Sequence, residues 1–241
     1  MKLQGKTAIV TGASSGIGEA VAIALAERGV KVTITGRRAD RLKAVEESIR
    51  RAGGQVLAVG GDLRIEDDIK KLFQCSQEYW GRLDILINNA AVGMDASLHY
   101  GSTESWREML EVNVLALAIA TREALTRFEI EKGGHVVNIS STSGHRVSAD
   151  GSFYVATKFA VRALTELLQQ ELAAENSRVR VSAISPGRVD TDFFKNPNQS
   201  ATEPGNRPLL RPVDVAATIL QILESPNHLT IHDVIMTAKK T

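Results

Sequence analysis

Short apolar runs alternate with helix-length amphipathic segments along nearly the whole sequence, and few folds accept that rhythm. Strand-type runs fall at 7–10, 31–35, 55–59, 84–87, 135–139, 178–184 and 233–236. Helical spacing of apolar residues marks 17–28, 40–52, 65–80, 104–130, 152–174 and 213–223. Parallel strands need crossover segments, and helices in that role cover both faces of the sheet. The expectation is an α/β fold: a single-domain, doubly wound parallel sheet of seven strands with helices on both faces, spanning 1–241. Residues 191–211 break the rhythm with Pro, Asn and Gly. That stretch exceeds an ordinary connection and reads as a substrate lid late in the sheet.

Composition removes several classes of function. A chain of 241 residues buries a core without staples, and 43% apolar residues exclude wholesale disorder. Lys and Arg number 29 against 28 Asp and Glu, a net charge of +1, so nothing favours nucleic acid or an anionic membrane. The single cysteine, Cys75, permits no disulfide framework or Cys-rich metal site, and no metal is expected. The start MKLQGKTAIV lacks a signal-peptide pattern, and no run approaches the roughly 20 apolar residues of a membrane span. A cytoplasmic location is expected.

The first run leads directly into Thr11-Gly12-Ala13-Ser14-Ser15-Gly16-Ile17-Gly18, which opens the first helix. Gly12 permits a tight turn, Gly16 lets backbone approach a pyrophosphate, and Gly18 lets helix and sheet pack closely. Ser14, Ser15 and Ile17 complete the cradle, and the helix N-terminus offers free N–H groups to phosphate. After the second run stands Thr35-Gly36-Arg37-Arg38, with no acidic residue to hold a ribose 2′-hydroxyl. Two guanidinium groups suit a 2′-phosphate and favour NADP(H) over NAD. The alternative is a solvated basic turn.

The spacing G-x-x-x-G-x-G, with Asn88-Asn89-Ala90, Asn113, Ser141, Tyr154-x-x-x-Lys158 and Pro186-Gly187, resembles the short-chain dehydrogenase/reductase family. The resemblance covers almost the whole chain and implies a Rossmann-type fold and hydride transfer. It implies that Asp62 and Leu63 meet the adenine, that Asn89 and Ala90 support the sheet and the cofactor ribose, and that Pro186, Gly187, Val189 and Thr191 hold the nicotinamide end. Asp62 equally suits a helix N-terminal charge. Ala91 replaces the glycine usual after Asn-Asn-Ala. Gly101-Ser102-Thr103, the segment 113–117 and Ser143-Gly144-His145-Arg146-Val147 look like a branch that reduces keto groups on steroids or small carbonyl compounds with NADPH. The resemblance also implies a homodimer or homotetramer built on the two long helices.

Tyr154 and Lys158 stand four residues apart on a predicted helix and share a face. A phenol near pKa 10 is a poor acid–base catalyst at neutral pH. A neighbouring ammonium is expected to lower it. Alone, such a pair is more often an exposed one. Ser141, at the end of the fifth run, lies where open α/β sheets bind ligands, and its spacing matches the family's carbonyl-holding serine; strand-end serines otherwise form turns. Asn113 is either a surface residue of a long helix or, as the resemblance implies, a backbone holder of a water beside Lys158.

The substrate pocket is expected to be walled by Val92, Met94, Ser143, His145, Arg146, Val147, Phe153, Phe193 and Phe194. Arg146 either meets a substrate carboxylate or faces solvent or a subunit. The resulting expectation is an NADPH-dependent oxidoreductase acting on a ketone or aldehyde, or on the matching secondary alcohol. The alternatives are a reductase of acyl-carrier-protein-linked ketoacyl groups and a catalytically silent NADP-binding redox sensor. The short segment after the last strand argues against the first, and the retained Asn113, Ser141, Tyr154 and Lys158 against the second.

Overall fold

In a computed structural model, residues 2–128, 133–148, 152–194 and 208–239 are described. The strands are β1 (Thr7–Val10), β2 (Lys31–Gly36), β3 (Gln55–Gly60), β4 (Ile85–Asn88), β5 (His135–Ile139), β6 (Arg180–Pro186) and β7 (Asp233–Met236). They form one sheet in the order β3-β2-β1-β4-β5-β6-β7, and every pairing is parallel. The helices are α1 (Gly16–Glu27), α2 (Ala39–Arg51), α3 (Glu66–Trp80), α4 (Thr103–Leu110), α5 (Ala116–Leu125), α6 (Tyr154–Ala174) and α7 (Pro212–Glu224).

Strands β1, β4, β5 and β6 are buried at every position, because helices cover both of their faces. Alternate residues serve opposite layers. Ala8, Val10, Ile85, Ile87 and Val137 join the core beneath α1, α2 and α7. Ile9, Leu86 and Val136 join the core beneath α3, α5 and α6. The edge strands β3 and β7 include exposed positions. The chain order reverses at β1, between β2 and β4, so their carboxyl ends open the crevice where such sheets bind ligands.

The strands and most helices lie within a residue or two of their expected places. The long helix expected over 104–130 is instead three pieces: α4, a π-helical turn at Glu111–Leu115, and α5. Ser102 starts α4 as expected, its hydroxyl accepting from Ser105 N at 3.1 Å. The helix expected from 152 begins at Tyr154. Of the expected lid, 195–207 lies outside the described residues; its near end is a 3-10 turn at Asp192–Phe194, and its far end returns through a Val189–Leu210 bridge. Among the described residues no helix is long and apolar enough to cross a membrane.

Candidate active site

A cleft of about 780 Å³ runs along the carboxyl edge of the sheet, from the glycine turn to Tyr154. At one end Gly12 adopts φ +65°, and a Cβ there would stand 2.8 Å from Ala90 Cα. Asn89 staples the turn: its Nδ2 donates to Thr11 O at 2.8 Å and Gly12 O at 3.1 Å. Thr11 Oγ1 returns the contact by accepting from the backbone N–H groups of Asn89 and Ala90, both at 3.0 Å. A Cβ on Gly18 would collide with the Asn89 amide and with Gly12 O, so Gly18 serves this staple as well as helix packing. Gly12, Ser14, Ser15, Gly16 and Ile17 line the cleft, whereas Gly18 stands behind it.

The cationic groups at this end differ in posture. Arg38 reaches over the turn and donates to Ser14 Oγ at 3.2 Å and Ser15 Oγ at 2.6 Å. Arg37 pairs with Glu108 of α4 at 3.3 Å. Arg41 also lines the cleft and pairs with Asp192 at 2.8 Å. The sequence reading passed over Arg41, although it stands one helical step beyond Arg37 and Arg38. Asp62 and Leu63 line the cleft too. The Arg64 guanidinium, bonded to Asp62 through Nε at 3.0 Å, holds that carboxyl below its usual range. Asp68 in the first turn of α3 accepts from Asp62 N at 2.8 Å, so Asp68 takes the helix-terminal role that Asp62 also suited.

At the other end, Ser141, Tyr154 and Lys158 line the same cleft. The i, i+4 spacing at the start of α6 puts Tyr154 and Lys158 on one face, with Lys158 Nζ 5.4 Å from the phenol ring centroid. Lys158 is 2% exposed and donates to Ile139 O at 2.8 Å. Burial pushes its ammonium down to about 7. Burial also pushes the Tyr154 phenol above its ordinary range, and a hydrogen bond with Ser141 opposes that rise. The expected depression of the phenol by Lys158 is therefore not what these side chains produce on their own. Both groups are desolvated, and the ammonium is bonded to the end of β5. Burial thus favours the neutral phenol.

Ser141 Oγ accepts from Ser143 N at 3.1 Å and donates to Pro186 O at 3.4 Å. Asn113 is 1% exposed, not on the surface, and lies in the π-helical turn. Its side chain accepts from Val92 N at 2.8 Å and donates to Val92 O at 2.8 Å and Thr157 Oγ1 at 3.0 Å. It ties the β4 exit to α6 beside Lys158. Phe193 stands over Tyr154, with ring centroids 5.6 Å apart, and sits where a Cβ on Gly93 would be. Pro186, Gly187, Val189 and Thr191 line the cleft, and the Thr191 methyl lies against Gly16.

The expected substrate wall is met in part. Val92, Met94, Ser143 and Phe193 line the cleft. Four others do not. His145 turns toward Ser185 and Asp233, at 3.0 and 3.1 Å. Arg146 is exposed and Val147 is 76% exposed. Phe153 stacks on Trp106 at 5.5 Å, in a small apolar cluster with Met109 and Ala96. The Phe194 side chain lies outside the described residues. Ser148, Ser152 and Arg188 line the cleft without having been foreseen, since loop side chains follow no periodicity that would mark them.

The side chains present fit a nicotinamide dinucleotide. Gly12, Ser14, Ser15, Gly16 and Ile17 leave the turn open to the cleft, Arg38 hangs over the turn hydroxyls, and the α1 N-terminus faces the same space. A short chain dehydrogenase profile matches residues 6–202. Fold, site and profile agree: the chain belongs to the short-chain dehydrogenase/reductase family of oxidoreductases. It is 41% identical over 242 residues to dehydrogenase/reductase SDR family member 11 of Bos taurus, covering 96% of this chain and 95% of that one. A short chain dehydrogenase from Burkholderia cenocepacia, solved in complex with NADP, superposes with a TM-score of 0.87 at 29% identity, covering 98% of both chains. A short chain dehydrogenase/reductase from Burkholderia phymatum, solved with NAD, gives 0.88 at 25% identity, covering 98% of this chain and 90% of the other.

Proposed function

We propose that the chain binds NADP(H) and interconverts a ketone or aldehyde with the corresponding alcohol. The observation that carries this reading is one cleft holding the Arg38-covered glycine turn at one end and Ser141, Tyr154 and Lys158 at the other. When bound, the cofactor supplies the hydride, the step no side chain can perform. The chain's residues do the rest. Ser141 hydrogen-bonds the substrate carbonyl oxygen and polarises it. Tyr154, held neutral by burial, gives its proton to that oxygen as charge develops, and takes it back in the reverse direction. Lys158, whose buried ammonium loses its proton near neutrality, is suited to return a proton to the phenol. Asn113 holds the β4 exit against α6, and its π-helical turn opens the backbone ladder where a water beside Lys158 would sit.

Relatives of this fold have been solved with either dinucleotide, so the preference for NADP(H) rests on this chain's own residues. Arg38 is aimed at the turn, Arg41 and Arg37 stand beside it, and Gly36 closes β2 in place of an acid. The reading includes a single catalytic domain, a cytoplasmic homodimer or homotetramer, and a small-molecule carbonyl or alcohol substrate. Arg146 is exposed and does not line the cleft, which supports its solvent-facing alternative over a carboxylate contact.

The test follows nicotinamide absorbance with NADPH or NADH and a panel of ketones, aldehydes and quinones. Tyr154→Phe is expected to lower kcat at least about 10²-fold while NADPH still binds. Turnover as fast as wild type would refute the mechanism, and binding without turnover across the panel would favour a redox sensor. Replacing Arg37 and Arg38 by Ala should raise KM for NADPH about tenfold and leave KM for NADH unchanged.

A further inference from the structure

The turn that carries Ser141 is a single 3-10 turn of three residues, Thr142–Gly144. A turn this short is placed by whatever holds its two ends. The sheet holds the leading end: Ser140 N donates to Ile184 O at 2.7 Å and Ser141 Oγ to Pro186 O at 3.4 Å. At the trailing end, His145 N closes the turn on Thr142 O at 3.1 Å. The His145 imidazole then reaches away from the cleft. Its Nε2 lies 3.0 Å from Ser185 Oγ of β6 and 3.1 Å from Asp233 Oδ2 at the start of β7. Ser185 Oγ donates to Asp233 Oδ1 at 2.9 Å. That bond uses the hydroxyl's one proton, and an ionised carboxylate only accepts, so Nε2 carries a hydrogen.

A serine, a histidine and an aspartate in contact invite comparison with a nucleophilic triad, but the arrangement is wrong for one. Hydroxyl and carboxylate share one ring nitrogen, the serine proton points to the carboxylate, and Ser185 is 0% exposed. The cluster is an anchor.

We propose that His145 is a positioning residue. Its Nε2–H, shared between Ser185 and Asp233, pins the Ser141 turn to the β6–β7 edge and so sets where the Ser141 hydroxyl meets the substrate. The proposal rests on the role given to Ser141 above. His145 does not line the cleft, so it acts on the reaction through the turn alone.

His145→Ala is expected to lower kcat for ketone reduction about tenfold, because a small displacement of an orienting group is felt in the chemical step. The NADPH dissociation constant, read by nicotinamide fluorescence, should stay unchanged, since the glycine turn and Arg38 are distant in the chain and untouched. His145→Gln, which can present an N–H at similar reach, should recover most of the loss. Should His145→Ala fail to fold, Asp233→Ala, at a partly exposed position, carries the same expectation. An unaltered kcat overturns the proposal. So does an equal loss of NADPH affinity, which would indicate general loosening, or a Gln variant as slow as the Ala variant. Ser141→Ala separates the two readings: full turnover there defeats the role of Ser141 itself, whereas slow turnover there with a fast His145→Ala defeats this inference alone.

Discussion

Lys158 shows how one residue trades stability for chemistry. It is fully buried, donates to Ile139 O, and burial pushes its ammonium down from 10.5 to about 7. Below about pH 7 folded and unfolded chains are both protonated there, and the fold carries the whole penalty of a buried charge. Between about 7 and 10.5 the unfolded chain binds more protons, so stability rises with pH and the penalty is gone above that window. Lys158→Met should therefore stabilise the unliganded protein by a few kcal/mol at pH 7 while abolishing turnover. It should also flatten the dependence of the urea midpoint on pH over that window. A slope unchanged from wild type would show that another group is responsible. The Tyr–Lys pair was legible in the sequence because four-residue spacing on a helix is a local rule. The direction of the phenol's shift was not, because desolvation depends on everything packed around it.

At the scale of elements, the π-helical turn between α4 and α5 marks where local rules stop sufficing. Asn113 looks like a mediocre residue inside a long helix. In the fold it satisfies both backbone groups of Val92 and bonds Thr157, joining three segments distant in sequence. Asn113→Ala would leave the buried N–H and C=O of Val92 without that partner. The expected loss is about 2–4 kcal/mol, read as a lower urea midpoint, with thermal unfolding several degrees lower. A variant as stable as wild type would mean that water replaces the amide. The three pieces of this segment were indistinguishable from one helix by periodicity, since a π turn adds one residue without changing which residues are apolar.

At the scale of the molecule, a residue that no motif identifies contributes to acid stability. His135 in β5 is 1% exposed, bonds Ser182 Oγ at 2.9 Å, and is paired in register with Arg180. Burial, reinforced by the Arg180 charge, pushes its imidazole from 6.5 down to about 3. The unfolded chain takes up the proton first as pH falls through that window. Stability present above pH 6.5 is thus lost progressively toward pH 3. Replacing His135 by Asn should remove much of this acid-side slope in urea unfolding, whatever it does to stability at pH 7. A slope equal to wild type would place the acid sensitivity on other groups.

Strand, turn and helix order, the seven-strand parallel sheet, the glycine turn and the spacing of Ser141, Tyr154 and Lys158 could all be read from residues near one another along the chain. Hydrophobic period and backbone sterics operate over a few residues, which is why they survive in one dimension. Which loop side chains face the cleft could not be read that way. His145 and Phe153 turned toward partners on other segments, Arg146 toward solvent, and Ser148, Ser152 and Arg41 faced inward. Those orientations, like the burial that raises one proton affinity and lowers another, arise when residues far apart in the chain compete for the same space and the same hydrogen bonds. That competition exists only once the sheet has assembled.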